Sequence, residues 1–191
     1  MIFQYKITIK NLIFLSIEYE EILNTKKFLS KELFNIHFSL LPKYRGCHTN
    51  YLQIKNGEKM SGVTIHKIDN GIDTGDIIDQ ISFVVHKNSN GLDNYRKLMN
   101  NSVKIFKKNY SKILNKHYNL KKQIESKATY FPRNFIDYNK EKMIKKKINS
   151  QEFHNKIRAL IFPPFQYPIL DNKKITKKIF KKNNVYLNFN D

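Results

Sequence analysis

Tryptophan is absent from this sequence, cysteine occurs once, and only 6 glycines and 5 prolines interrupt its 191 residues. The single cysteine, Cys47, excludes an internal disulfide and offers no thiolate cluster, so the expectation is a reducing, cytoplasmic setting and no metal centre. Cys47 precedes His48, but adjacent residues rarely face each other, and a plain loop cysteine is the stronger reading than a thiol nucleophile. His86, His117 and His154 have no ligand-like spacing. Long apolar runs are missing as well. Leu12 to Ile17, the longest near the start, falls far below the roughly 20 residues that cross a bilayer. Glu18, Glu20 and Glu21 follow it without a small-residue cleavage site, so it reads as a buried parallel strand rather than a secretory leader.

Acidic residues are the other shortage: 16 stand against 35 Lys and Arg, for a net charge of +19 and a pI near 9.8. Such an excess attracts anions, nucleic acid among them. The lysines are scattered, however, at 26–27, 107–108, 121–122, 145–147, 173–174 and 177–178. With Asn and Ile also heavily used, this favours codon bias and a solvated surface over a dedicated RNA face. The charge still suits steering of an anionic small molecule such as a nucleotide diphosphate.

The chemistry that is present lies between Phe34 and Asp76. Asn35 and His37 are two apart and fall on the same side of a strand's end. Pro42 cannot donate to a ladder and stops that strand, and Lys43 to Gly46 continues as a loop. Val63 to Ile68 is a β-branched strand, and Asp69 to Gly75 is a tight loop able to carry Asp73 back to the first strand's tip. An amine attacking a formyl carbon creates a negative oxygen and a positive nitrogen. Asn35 can donate to the oxyanion, His37 can donate to it and help expel the leaving group, and Asp73 can orient the imidazole or take the amine's proton. His66, inside the second strand, reads equally as a residue facing this site and as a satisfied core histidine.

Asn-x-His at 35–37, Ser-Leu-Leu-Pro at 39–42, Gly-Val-Thr-Ile-His at 62–66 and Asp-x-Gly at 73–75 occur in that order. Each is weak alone. Together they resemble the core of the formyltransferases that use N10-formyltetrahydrofolate, a family including methionyl-tRNA, glycinamide ribonucleotide and nucleotide-sugar formyltransferases. The resemblance implies that Asn35, His37 and Asp73 match the catalytic triad, and that Ser39, Leu40, Leu41 and Pro42 match the segment lining the folate site, with N10-formyltetrahydrofolate as co-substrate. It extends from about Leu12 to Leu170, where Ile157-Arg-Ala-Leu160 before Phe-Pro resembles the segment closing the core. Arg158, Phe165 and Tyr167 then stand near the acceptor or simply pack.

Two departures follow. The family places several strand-helix units before Asn-x-His, whereas 34 residues precede Asn35. Three readings are open: a sibling chain or homodimer supplies the missing strands, the start is misassigned, or the chain is a truncated, inactive homologue. Phe38 stands where the family often has proline or alanine. For the acceptor, methionyl-tRNA enzymes carry a further barrel domain, while 23 residues follow Pro168. The expected acceptor is therefore the amino group of a dTDP- or UDP-linked amino sugar, with methionyl-tRNA second and no membrane partner.

The fold expected is α/β, a partial Rossmann-like formyltransferase core with a mostly parallel sheet flanked by helices. Residues 1–118 form the catalytic core without its first strand-helix units, and 119–191 an extension with a helix and a terminal hairpin. Within the core the pattern gives a helix near Glu20 to Ser30 and a short one from His48 to Ile54. Strands follow at Ser61 to Ile68 and Asp76 to Val85. A long helix should then bury Leu92, Tyr95, Leu98, Met99, Val103, Phe106, Tyr110, Ile113 and Leu114. Ser150 caps a later helix over Gln151 to Ile161.

Overall fold

The computed structural model of the chain describes residues 6–19, 21–181 and 184–190. Strands β1 (Ile13–Ile17) and β2 (Glu32–His37) pair in parallel, with Ile13 opposite Glu32 and Ile17 opposite Ile36. Between them the expected helix is replaced, among the described residues, by a 3₁₀ turn at Thr25–Lys27 capped by Asn24. The reason is competition for backbone groups. Ile7 N–H donates to Lys27 O at 2.7 Å and Leu29 N–H to Ile7 O at 3.0 Å, which takes bonds a helix would need.

Next come β3 (Arg45–Gly46), α1 (Thr49–Lys55), β4 (Met60–Lys67), β5 (Ile77–Val84) and α2 (Gly91–Leu114). The sheet order is β1-β2-β4-β5. The α/β, Rossmann-like reading stands, but the sheet is mixed rather than mostly parallel. β2 and β4 run antiparallel. So do β4 and β5, because Lys67 N–H bonds Asp76 O while Val85 N–H bonds Lys59 O. The short link from Lys67 to Ile77 explains the second case, since a parallel crossover needs a dozen or more residues. Leu33, Phe34, Ile36, Val63, Thr64 and Ile65 are almost wholly buried, as in a strand pair covered on both faces.

The long helix forms where expected, but with its buried face turned. Asn94, Leu98, Ser102, Ile105, Asn109 and Ile113 are inside, whereas Val103, Tyr110 and Leu114 are each about half exposed. The side-chain amides of Asn94 and Asn109 donate to hydrogen-bond partners, which hydrophobicity alone cannot signal. Asn109 Nδ2 donates to Asp79 Oδ2 and Ile105 O, both at 2.9 Å, and Asn94 Nδ2 to Asn50 Oδ1 at 2.9 Å.

The remaining elements are β6 (Tyr130–Phe131), α3 (Tyr138–Glu141), β7 (Met143–Ile144), α4 (Gln151–Leu160), β8 (Ile169–Leu170), β9 (Lys173–Lys181) and β10 (Asn184–Asn190). Ser150 does cap α4, its hydroxyl accepting from Phe153 N–H at 3.1 Å. The terminal pair β9–β10 is antiparallel, as a hairpin requires. By their contacts the residues form two compact units that interleave along the chain. The first takes the chain up to Gly46, then Gly62–Ser82 and Asn100–Tyr130; the second takes Cys47–Ser61, Phe83–Met99 and the chain from Phe131. The second unit holds Arg158, which is 3% exposed. Its guanidinium is spent on Ile54 O, His86 O, Ser89 O and Asn155 Oδ1, so it is a core residue and not one that reaches for an acceptor.

Candidate active site

Strand alternation sets the first part of the site. Along β2 the side chains of Phe34 and Ile36 take one face, and Asn35 and His37 the other. The antiparallel register then puts His66 of β4 directly opposite Asn35, and Thr64 opposite His37. His37 and His66 are 7% and 2% exposed, and their rings meet edge to face at 6.4 Å.

The loop after β4 supplies the carboxylate. Asp69 Oδ1 accepts from Gly71 N–H at 3.0 Å and from the Thr74 hydroxyl at 2.6 Å, closing a tight turn. Gly75 has no alternative there, because a Cβ would collide with the Lys67 carbonyl. Asp73 sits at φ 54°, a left-handed conformation that a non-glycine residue adopts only when its surroundings hold it. Gln123 does the holding: its Nε2 donates to Asp73 O and to Gly75 O, both at 2.8 Å. Gln123 is fixed in turn by Arg45, which donates to its Oε1 from Nε at 3.1 Å and Nη2 at 2.9 Å.

Asp73 is thereby brought to the tip of β2. Its Oδ1 receives Asn35 Nδ2–H at 3.2 Å and lies 3.4 Å from His66 Nε2. Its Oδ2 receives Gly46 N–H at 2.9 Å and lies 3.4 Å from His37 Nδ1. The amide of Asn35 is oriented by this network, since the reversed amide would set two oxygens against each other. The far nitrogen of His37, Nε2, meets the Tyr44 carbonyl at 2.7 Å, and that of His66, Nδ1, meets the Lys67 carbonyl at 2.7 Å.

Burial would raise the Asp73 carboxyl, but the charge of His37, the hydrogen bond and charge of His66 and the Gly46 amide overcome it and hold Asp73 well below the usual carboxylate range. His37 is pushed down by burial, with Asp73 and the Tyr44 carbonyl opposing and His66 adding to the fall. A buried anion thus lies between two imidazoles, one of which is held toward its neutral form. That arrangement can take up a proton, stabilise the cation formed and release the proton again.

The stretch 39–42 is anchored beside the site. Ser39 is fully buried, its hydroxyl donating to Lys43 O at 2.6 Å. Its own carbonyl accepts from Thr64 Oγ1 at 2.6 Å. Leu41 is 4% exposed, with its N–H on Thr64 Oγ1 at 3.1 Å and its carbonyl on Gln80 Nε2 at 3.0 Å. Leu40 and Pro42 are part-exposed. Reasoning from sequence alone missed Arg45, Gln123 and Gln80. Their partners are backbone carbonyls or distant side chains, and no local pattern signals such contacts.

The formyl transferase family model matches residues 17–110. The chain is 34% identical over 180 residues to the bifunctional polymyxin resistance protein ArnA of Wigglesworthia glossinidia brevipalpis, covering 90% of this chain and 26% of that protein. It is 35% identical over 150 residues to the methionyl-tRNA formyltransferase of Kosmotoga olearia, covering 77% and 47% respectively. Among solved structures, the sugar 3N-formyl transferase WlaRD, determined in the presence of dTDP and 5-N-formyl-THF, superposes with a TM-score of 0.83 at 44% identity over 91% of this chain and 63% of that one. The N-formyltransferase of Helicobacter canadensis, in complex with folinic acid and dTDP-3-aminofucose, gives 0.82 at 43% identity over 90% and 63%. The chain therefore spans less than half the length of these curated relatives and under two thirds of these solved ones. The motifs, the fold and the matched segment agree: residues 17–110 carry a formyl transferase domain, and the chain is consistent with the formyltransferase family.

Proposed function

We propose that the protein transfers a formyl group from N10-formyltetrahydrofolate to the amino group of a dTDP- or UDP-linked amino sugar. The observation that carries the reading is the convergence of Asn35, His37 and Asp73 within hydrogen-bonding reach, in a chain 44% identical to a solved sugar 3N-formyl transferase. Residues 1–118 are on this reading the catalytic core, and 119–191 an extension that lends it Gln123. Leu40 and Pro42, the part-exposed members of 39–42, face the donor, while Ser39 and Leu41 support them from inside.

In the reaction the amine nitrogen attacks the formyl carbon, and the carbonyl π pair moves to oxygen. Asn35 Nδ2–H stabilises that oxyanion. The amine's proton enters between Asp73 Oδ2 and His37 Nδ1, converting His37 to an imidazolium beside the carboxylate. His37 then gives its Nε2–H, held in this structure by the Tyr44 carbonyl, to the leaving nitrogen as the bond from N10 to the formyl carbon breaks. The Tyr44 carbonyl must yield for this step. Tyr44 lies at φ 61° in the 43–46 loop, so the exchange requires that loop to adjust when substrate arrives.

Tetrahydrofolate release tests the reading, with N10-formyltetrahydrofolate and a panel of dTDP- and UDP-amino sugars beside methionyl-charged and uncharged tRNA. Release with one sugar, reduced at least ~100-fold in His37→Ala, supports it. Turnover of His37→Ala within about tenfold of the native chain would remove His37 from the mechanism. The 35% identity to a methionyl-tRNA formyltransferase keeps the tRNA arm in the panel, and release with methionyl-tRNA alone would move the acceptor there.

A further inference from the structure

We propose that His66 is a positioning residue that decides whether Asn35 has a hydrogen-bond donor free for the reacting oxygen. The proposal deepens the formyl-transfer reading and, for its catalytic consequence, rests on it.

The starting point is a count of protons. Asn35 Nδ2 carries two hydrogens. One is committed to Asp73 Oδ1 at 3.2 Å, and the other points at His66 Nε2 at 3.3 Å. Across the ring, His66 Nδ1 lies 2.7 Å from the Lys67 carbonyl. A carbonyl only accepts, so the hydrogen must sit on Nδ1. In the neutral ring Nε2 is then bare, and it accepts the second Asn35 hydrogen. Both donors of Asn35 are occupied in that state.

Adding a proton to His66 reverses the arrangement. Nε2–H can no longer accept from Asn35, and the nearest acceptor is Asp73 Oδ1, 3.4 Å away. The imidazolium donates to Asp73, and one Asn35 N–H is released to turn toward substrate. The exchange needs no backbone movement, because the β2–β4 register already sets the two residues opposite each other. It also needs no solvent path to His66, which is 2% exposed, since Asp73 touches both rings and can pass it the proton.

The charged and titratable groups around His66 come from three elements. Asp73 faces it from the loop after β4 and His37 from β2. Glu18, just past β1, is solvent-exposed, its carboxyl raised by partial desolvation and by the charge of Asp73. Asp73 lies 3.4 Å from a nitrogen of each ring. The two rings therefore compete for one carboxylate, and the release of Asn35 is tied to the proton balance of the pair.

Ring-nitrogen NMR of the uniformly 15N-labelled full chain tests this directly, with the resonances assigned through His37→Asn and His66→Phe. The neutral His66 ring is expected as the Nδ1–H tautomer, and the Asn35 side-chain amide should shift as His66 titrates. A neutral His66 carrying its hydrogen on Nε2, or an Asn35 amide that ignores the titration, would overturn the proposal. These readings need no substrate, so they hold even if formyl transfer to every acceptor fails. The catalytic arm compares His66→Phe with His66→Gln. The Phe variant should lose about 10- to 100-fold in kcat, with the KM for the folate donor within about threefold and one limb of the pH–rate profile removed. The Gln variant, which keeps a polar end, should recover part of the rate. A folded Phe variant with native kcat and pH profile would also sink the idea.

Discussion

Each compact unit buries a histidine against charge, but with opposite signs. In the first, His37 and His66 share the carboxylate of Asp73. In the second, His154 is 1% exposed and its Nε2 lies 3.0 Å from the Lys87 carbonyl and 3.2 Å from Lys178 Nζ. Burial, Lys178 and Arg158 push His154 down to about 4 against the pull of that carbonyl. A histidine among cations stays neutral across the physiological range and serves packing. A histidine beside a buried anion can gain and lose a proton at modest cost. Burial alone therefore does not set what a histidine can do; the sign of its neighbour does.

The sharpest way to break the contrast is to neutralise the shared anion. Asp73→Asn keeps the shape of the side chain but removes the negative charge that lies 3.4 Å from both rings. Tetrahydrofolate release should fall by about 10³-fold or more, within the range of lost acid–base and electrostatic catalysis. His154→Gln, equally buried, should leave turnover within about twofold and act on stability only. If the His154 variant loses activity as steeply as Asp73→Asn while remaining folded, the distinction between the two environments collapses.

A smaller effect is expected at the clamp. Gln123→Ala frees the carbonyls of Asp73 and Gly75 and leaves Arg45 to hold only Glu125. The left-handed backbone at Asp73 then loses its support, and turnover should drop about tenfold, by analogy with the cost of losing an outer partner at a metal site. Gln123→Glu, which cannot donate, should behave like the alanine variant. Native turnover in both would show that the loop holds its conformation unaided.

These contacts also measure what the sequence disclosed. Asn35, His37 and Asp73 were legible because two lie at strand spacing and the third follows a glycine-bounded turn, and both patterns are local. The loop's support was not legible: Gln123 lies far along the chain from Asp73, and amide-to-carbonyl bonds leave no periodic trace. The strands of the sheet and the long helix were readable from β-branched runs and helical spacing. The buried face of α2 was not, because Asn94 and Asn109 go inside with hydrogen-bond partners while Val103 and Tyr110 stay out. The stretch before β2 failed for a related reason. Helical composition at 20–30 lost to backbone pairing of Ile7 with Lys27 and Leu29, a contact outside any local window.

In acid the first unit's histidine and carboxylate act in the same direction. The folded-state pKa of His37 is depressed, so its contribution to stability is complete above the ordinary histidine value near 6.5 and is lost as pH falls below it. That of Asp73 is also depressed, so its contribution is present above the ordinary carboxyl value of 3.8 and is lost only as pH falls through its much lower folded value. Acid unfolding followed by circular dichroism should therefore show two zones. His37→Asn is expected to flatten the upper one and to weaken the lower, since the charge of His37 is foremost among the groups holding Asp73 down. A variant whose upper zone matches the native profile would show that burial does not hold His37 toward neutrality.

The second unit yields the smallest effect, at the alkaline side. Lys178 is 6% exposed and is pushed down to about 7 by burial and Arg158, with Asp93 pulling the other way. A base with a depressed folded pKa is bound to fewer protons folded than unfolded, so between about 7 and the ordinary lysine value of 10.5 stability rises with pH. Part of any such rise comes from relief of the overall charge of +19, which every exposed lysine shares. The informative quantity is thus the difference between the native chain and Lys178→Met. The variant should be the more stable at pH 7 and gain less on the way to pH 10, with the two melting curves converging by about 2–4 °C for each ~1 kcal/mol. Parallel curves would mean that Lys178 keeps its charge when buried. His154 would then face a permanent cation, making the separation between the two histidine environments wider than drawn above.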